Sequence, residues 1–159
     1  MDLRDDRRQL FANLARPETS PDFFRRVAAD VDWTVEGTHP LAGRFTSKKA
    51  FNEATFDRIG PLLREGARLE LQHLFLDGAT VVAELRARST TLDGAPYDNT
   101  LCWVCRFDSA EVGAMIVEVR AYLDSAMIAW TIMRNERLRP RPAPTDAAGP
   151  AVDGGTGRG

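Results

Sequence analysis

Few residues of this chain can move a proton or orient a polar molecule, and their spacing limits what each can do. His39 stands in the irregular run Thr38-His39-Pro40. An imidazole there can serve as an acid/base near neutral pH, or it is a solvent-exposed loop histidine. Tyr97 and Asn99 are two residues apart, so on a strand they share a face. A phenol and an amide so placed can position a water or a carbonyl oxygen, or they satisfy each other as a polar pair. His73 shares the parity of Leu69, Leu71 and Phe75. It is either a packed histidine or one that faces a ligand. Asp124 closes a strand pattern and precedes a helical one, which makes it a helix cap or a strand-end carboxylate.

Other chemistries find little support. The two histidines are far apart in sequence with no third ligand nearby, so no metal is expected. Cys102 and Cys105 lie in Thr100-Leu101-Cys102-Trp103-Val104-Cys105, which reads as a strand. Residues three apart on a strand face opposite sides, so the thiols cannot bridge and are expected to be inert. No cofactor is expected.

The 159 residues fit one domain, and contents of 43% hydrophobic and 28% charged residues suit a folded core. Net charge is −2, from 21 basic and 23 acidic side chains, without an extended basic block. Nucleic acid is therefore not an expected partner. No apolar run approaches the ~18 residues of a membrane span. The opening Met1-Asp2-Leu3-Arg4-Asp5-Asp6 lacks the apolar core of a signal peptide, which gives a cytoplasmic expectation.

The elements that must position these residues follow in order. Residues 3–16 read as a helix with Leu3, Leu10, Phe11 and Leu14 on one stripe. A second helix starts at Ser20-Pro21-Asp22 and gives out near Asp30. Val31 to Glu36 alternates as a strand that Gly37 ends. Thr46 or Ser47 caps a third helix carrying Phe51, Thr55, Ile59, Leu62 and Leu63, with Gly60-Pro61 kinking or splitting it. Four strands then run over residues 68–76, 80–91, 97–107 and 115–123, with Asp77-Gly78 and Asp93-Gly94 marking tight turns. A closing helix carries Met127, Ile128, Trp130, Thr131 and Ile132. Residues 138–159, rich in Pro, Gly and Ala, are expected to be a disordered tail to a domain spanning 1–137.

Helices followed by an antiparallel meander make an α+β protein: three N-terminal helices packed on a curved, mostly antiparallel sheet, with a short C-terminal helix. Such a cone has an apolar interior, the default place for a small molecule. The order of elements, with Trp33-Thr34-Val35-Glu36-Gly37, Pro40-Leu41-Ala42-Gly43, Asp93 to Asn99 and Glu118 to Asp124, resembles the NTF2-like superfamily, in its SnoaL-like and ketosteroid isomerase-related branch. The resemblance runs from about Leu10 to Arg134 and implies a homodimer.

Not every chemistry of that family is carried over. Steroid isomerisation needs a carboxylate base and a tyrosine with a protonated acid to hold the enolate oxygen. The position matching the base is Gly37, and both tyrosines lie on strands rather than on the first helix. Epoxide hydrolase relatives carry an acid directly after the arginine of the last strand; here Ala121 follows Arg120. The parity of that strand places Val117, Val119, Ala121 and Leu123 inward and Glu118, Arg120 and Tyr122 on an outer face suited to ion pairs or dimerisation.

Two functions remain open. One is a cofactor-free isomerase, cyclase or hydrolase acting by proton transfer on a small apolar or polyketide-like molecule. In it His39 would be the acid/base, with Tyr97 and Asn99 orienting the substrate and Asp124 a further candidate. Trp33, Leu41, Phe51, His73, Leu101, Trp103, Val119 and Ala121 would line the binding pocket. The other is a non-catalytic ligand-binding or dimerisation module of the same fold.

Overall fold

The Asp2 carboxylate accepts a hydrogen bond from the Asp5 N–H at 2.8 Å and so starts helix α1, Leu3–Ala12. In this computed structural model, which describes residues 1–139, a 3-10 turn at Asn13–Ala15 ends that segment. Helix α2 is Ser20–Phe24, strand β1 Val27–Val35 and strand β2 Gly43–Phe45. Helices α3, Lys48–Ala54, and α4, Phe56–Ile59, precede a 3-10 turn at Gly60–Leu62. Strands β3 Leu69–Asp77, β4 Thr80–Thr90, β5 Pro96–Phe107 and β6 Ile116–Leu123 lead to helix α5, Ser125–Asn135. Residues 140–159 of the expected tail lie outside the described residues.

Two helices, not three, precede the sheet. The expected third helix is instead the pair α3 and α4, set between β2 and β3. A first break falls at Thr55, with φ −121° and ψ −81°, and at Gly60-Pro61 the α-helix gives way to the 3-10 turn as expected. The Thr55 hydroxyl donates to the Phe51 carbonyl at 2.7 Å, a local bond that competes with the helix ladder. β1 also begins earlier than Val31, because Val27 pairs with Ile116 of β6. A register shift between Val27 and Asp32 then keeps Val31, Trp33 and Val35 inward.

The sheet has six strands in the order β2-β1-β6-β5-β4-β3. All neighbours are antiparallel except β1 and β6. Its inner face buries Trp33, Leu85, Leu101, Trp103, Val119 and Ala121 beneath the helices. Trp33 is the centre of that layer. Phe51 stacks on it at 3.7 Å and 14°, and Trp103 meets it edge-on at 5.1 Å and 84°. Among the described residues no helix is long and apolar enough to cross a membrane.

His73 corrects the parity reading. A bulge between Leu71 and His73 shifts the register of β3 against β4. Leu69 and Leu74 therefore point inward, while His73 and Phe75 are exposed on the outer face. There the His73 Nδ1 meets Glu84 Oε2 at 2.8 Å, with 68% of the imidazole side chain accessible. The thiols follow the strand reading. Cys105 is buried, Cys102 half-buried, and both are free. Burial pushes both thiols above their ordinary value, which keeps them protonated and unreactive at neutral pH.

A charged network between α1 and the β5–β6 loop escaped the sequence pattern. Arg7 is fully buried, its guanidinium 3.8 Å from the centre of the Phe107 ring. It donates to Asp6 and to the Glu111 carbonyl at 2.9 Å. Arg26 grips the same carboxylate at 3.0 and 3.1 Å and the Ala114 carbonyl at 2.9 Å.

A candidate apolar cavity

A cavity of about 70 Å³ lies between the inner face of the sheet, the α3–α4 segment and α5. β1 contributes Trp33 and Val35, β5 Tyr97, Leu101 and Trp103, and β6 Ala121 and Leu123. Leu41 from the β1–β2 loop, Phe51 of α3, Thr55, and Phe56 and Ile59 of α4 close the helical side. Ala87 of β4, Leu69 of β3 and Ile128 of α5 complete the ends. Among the described residues no carboxylate, histidine, lysine or arginine belongs to this wall. The wall residues that carry a side-chain polar group are Trp33, Trp103, Tyr97 and Thr55, and the Thr55 hydroxyl is spent on Phe51.

Of the expected lining residues, Trp33, Leu41, Phe51, Leu101, Trp103 and Ala121 stand on the wall. His73 does not, since the β3 bulge turns it outward. Nor does Val119, which is fully buried in the core between Trp33 and Cys105. Lining residues the sequence left unassigned include Val35 and Ala87, whose side chains carry no signal beyond strand alternation, and Ala67 in the loop before β3.

Tyr97 and Asn99 are both buried on the inner face, and only Tyr97 reaches the cavity. The Asn99 amide is used in holding the β6–α5 junction. Its Oδ1 accepts from the Asp124 N–H at 3.0 Å, and its Nδ2 donates to the Asp124 carbonyl and to the Tyr97 hydroxyl, each at 3.4 Å. The Tyr97 oxygen thus accepts from Asn99, and its own proton has no acceptor among the described residues. Burial pushes the phenol up to about 12, aided by the Asp124 charge, so it stays a neutral donor at any ordinary pH. The Asp124 carboxylate caps α5 by accepting from the Met127 N–H at 3.2 Å and is exposed, off the cavity wall.

His39 is buried rather than exposed, and it is not on the cavity wall. The Leu41 N–H donates to its Nδ1 at 3.2 Å, which places the ring proton on Nε2, 3.0 Å from the Glu36 carbonyl it donates to. Both nitrogens are engaged in shaping the loop that carries Leu41. His39→Ala is expected to cost about 1–3 kcal/mol in urea denaturation by stranding two backbone groups. It should leave the rate of any reaction at the cavity within about twofold at saturating ligand. A collapse of that rate with unchanged stability would restore His39 as the acid/base.

Gly37 explains why no base stands where the isomerase pattern puts one. Its φ is +116°, and an added Cβ would lie 2.5 Å from the Ser125 hydroxyl and 2.9 Å from the His39 ring. The turn that fixes His39 therefore excludes a carboxylate side chain at this position. Among the described residues no group of three or more His, Cys, Asp or Glu side chains is placed to hold a metal ion.

No family model matches the sequence. Among curated proteins it is 31% identical over 130 residues to dimerizing cyclase phiC of a fungal species (strain ATCC 74256), a match covering 80% of this chain and 55% of the relative. It is 30% identical over 116 residues to dimerizing cyclase tstC of Talaromyces stipitatus, covering 71% of this chain and 50% of the relative. The chain thus spans about half the length of the curated relatives it matches. Among solved structures, an NTF2-like protein from Burkholderia thailandensis superposes with a TM-score of 0.60 at 22% identity, covering 77% of this chain and 96% of that one.

Proposed function

We propose, for a chain that has the NTF2-like fold and is similar to two dimerizing cyclases, that it binds a small apolar molecule in the cavity beneath Trp33 and promotes its cyclisation. The supporting observation is the wall itself: an almost wholly apolar surface to which Tyr97 brings a hydroxyl whose proton has no acceptor among the described residues. Apolar walls hold and fold a flexible substrate by excluding water. A neutral phenol placed against a carbonyl oxygen stabilises the negative charge that grows there when an enol carbon of the substrate attacks, the enol O–H proton ending on the new alcohol as the enol becomes a ketone. Because the wall holds no carboxylate or imidazole among the described residues, this reading places carbonyl activation and templating, rather than proton abstraction by a side chain, at the centre of the chemistry.

A second copy of the chain is the proposed partner. The outer face of the sheet presents Phe75, Val82, Cys102, Val104 and Tyr122 beside the ion pairs of Glu118 with Arg106 and Arg120. One experiment addresses both proposals. Native mass spectrometry of the purified protein is expected to give the mass of two chains, with a neutral, organic-extractable adduct released on collisional activation. A monomer would remove the dimer, and ligand-free protein with no uptake from hydrophobic extracts would remove the cavity's role.

A further inference from the structure

Among the described residues two buried side-chain nitrogens lack a hydrogen-bond partner, Arg7 Nε and Trp33 Nε1. The first belongs to a guanidinium already held by Asp6 and the Glu111 carbonyl. The second has no such excuse. An indole has a single donor and no acceptor, so one missing bond leaves its only polar atom unmet. Buried donors are rarely left this way, and each such case needs a physical reason. Trp33 is fully buried, yet it lines the cavity. Phe51 stacked on its face and Trp103 against it fix the ring, so it cannot swing to find an acceptor elsewhere.

We propose that the Trp33 indole N–H is a ligand-positioning donor, and that with the Tyr97 hydroxyl it selects a neutral apolar molecule bearing a carbonyl oxygen: a ketone, ester or lactone. The inference rests on the cavity reading above and adds the ligand's chemical class. Both donors are uncharged, and among the described residues no lysine, arginine or histidine stands on the wall. A carboxylate would lose its hydration there without gaining a counter-charge, which such a site rejects. A pure hydrocarbon would leave both donors unmet. A carbonyl compound supplies acceptors without bringing charge. The cavity of about 70 Å³ is smaller than the roughly 150 Å³ that takes benzene, so small ring compounds are the suitable probes and uptake requires the α3–α4 segment to give.

The test is an NMR titration of the full chain with indole nitrogens labelled, where Trp33 is one of three tryptophans and is assigned with Trp33→Phe. The probes are cyclopentanone, its isostere methylenecyclopentane and cyclopentanecarboxylate. Cyclopentanone is expected to move the Trp33 indole proton downfield saturably, and methylenecyclopentane is not. Trp33→Phe is expected to weaken cyclopentanone by about tenfold, the worth of one neutral hydrogen bond, and methylenecyclopentane by less than twofold. Equal indole shifts with the two isosteres, or equal losses in the variant, would overturn the donor role while leaving the cavity in place. Carboxylate binding as tight as that of the ketone would overturn the neutral class. Failure of every probe to bind would overturn the cavity reading and this inference with it. The indole shift is read on the wild-type chain, so the donor role is tested even where Trp33→Phe does not fold.

Discussion

Ala121→Leu is expected to abolish uptake of small ligands while leaving the fold intact or firmer. Ala121 sits on β6 in register with Val35 and Trp103, and its methyl group is part of the cavity wall. Leucine adds three carbons to a space of about 70 Å³, enough to fill most of it. Binding of cyclopentanone should fall by at least about thirtyfold, equivalent to about 2 kcal/mol. Stability to urea should rise by about 0.5–2 kcal/mol, as cavity filling commonly gives. The two signs together identify the effect: loss of binding with loss of stability would mean overpacking of the core instead. Binding unchanged by the substitution would place the ligand elsewhere.

Asp6→Ala is expected to be strongly destabilising, costing about 3–5 kcal/mol in urea denaturation. It leaves Arg7, fully buried, and Arg26 without the carboxylate that both grip. The buried guanidinium of Arg7 would keep its carbonyl partners but lose its counter-charge. The same pair predicts acid sensitivity. Burial pushes the Asp6 carboxyl up, but hydrogen bonds and charge from Arg26 and Arg7 outweigh it and hold the group below its ordinary 3.8. A carboxylate depressed in the folded state adds stability that is complete above the unfolded value and is lost as pH falls through the folded one. The stability gap between wild type and Asp6→Asn should therefore be full at pH 7 and shrink below about pH 4. A gap that stays constant into strong acid would contradict the ion-pair account.

These two residues also show how far the sequence could be read. The inner faces of β5 and of β6 from Val119 onward followed from strand alternation, because an antiparallel strand with one buried face repeats every two residues, whereas a register shift near the start of β6 buries Ile116 in place of the expected Val117. Tyr97, Leu101, Trp103 and Ala121 therefore fell on the correct side. His73 did not, because one bulge reverses parity and a bulge has no composition of its own in Leu71-Gln72-His73. Asp6 and Arg7 look like surface residues on a helix beside Arg4, Asp5 and Arg8. Their burial depends on Arg26 and on carbonyls of the 108–114 loop, partners some 20 to 100 residues away.

The candidate site was legible in outline and not in role. The family pattern pointed to Gly37 as the position without a base, and the turn geometry supplies the reason. His39 drew attention because titratable groups near a pocket mouth suggest catalysis. Only the positions of the Glu36 carbonyl and the Leu41 N–H reveal it as a loop brace. Asn99 likewise holds backbone at Asp124 and donates to the Tyr97 hydroxyl. The unmet donor on Trp33 cannot be seen in a sequence at all, since it is defined by what the fold fails to place beside it.

The most direct test of the cavity as a ligand site is a crystal structure of the protein soaked in cyclopentanone. The account predicts the ring between Trp33, Leu101 and Ala121, with its oxygen within hydrogen-bond distance of Trp33 Nε1 or Tyr97 Oη and the α3–α4 segment displaced to admit it. An empty or collapsed cavity at saturating ketone, or a ketone bound only on the outer surface, would contradict it.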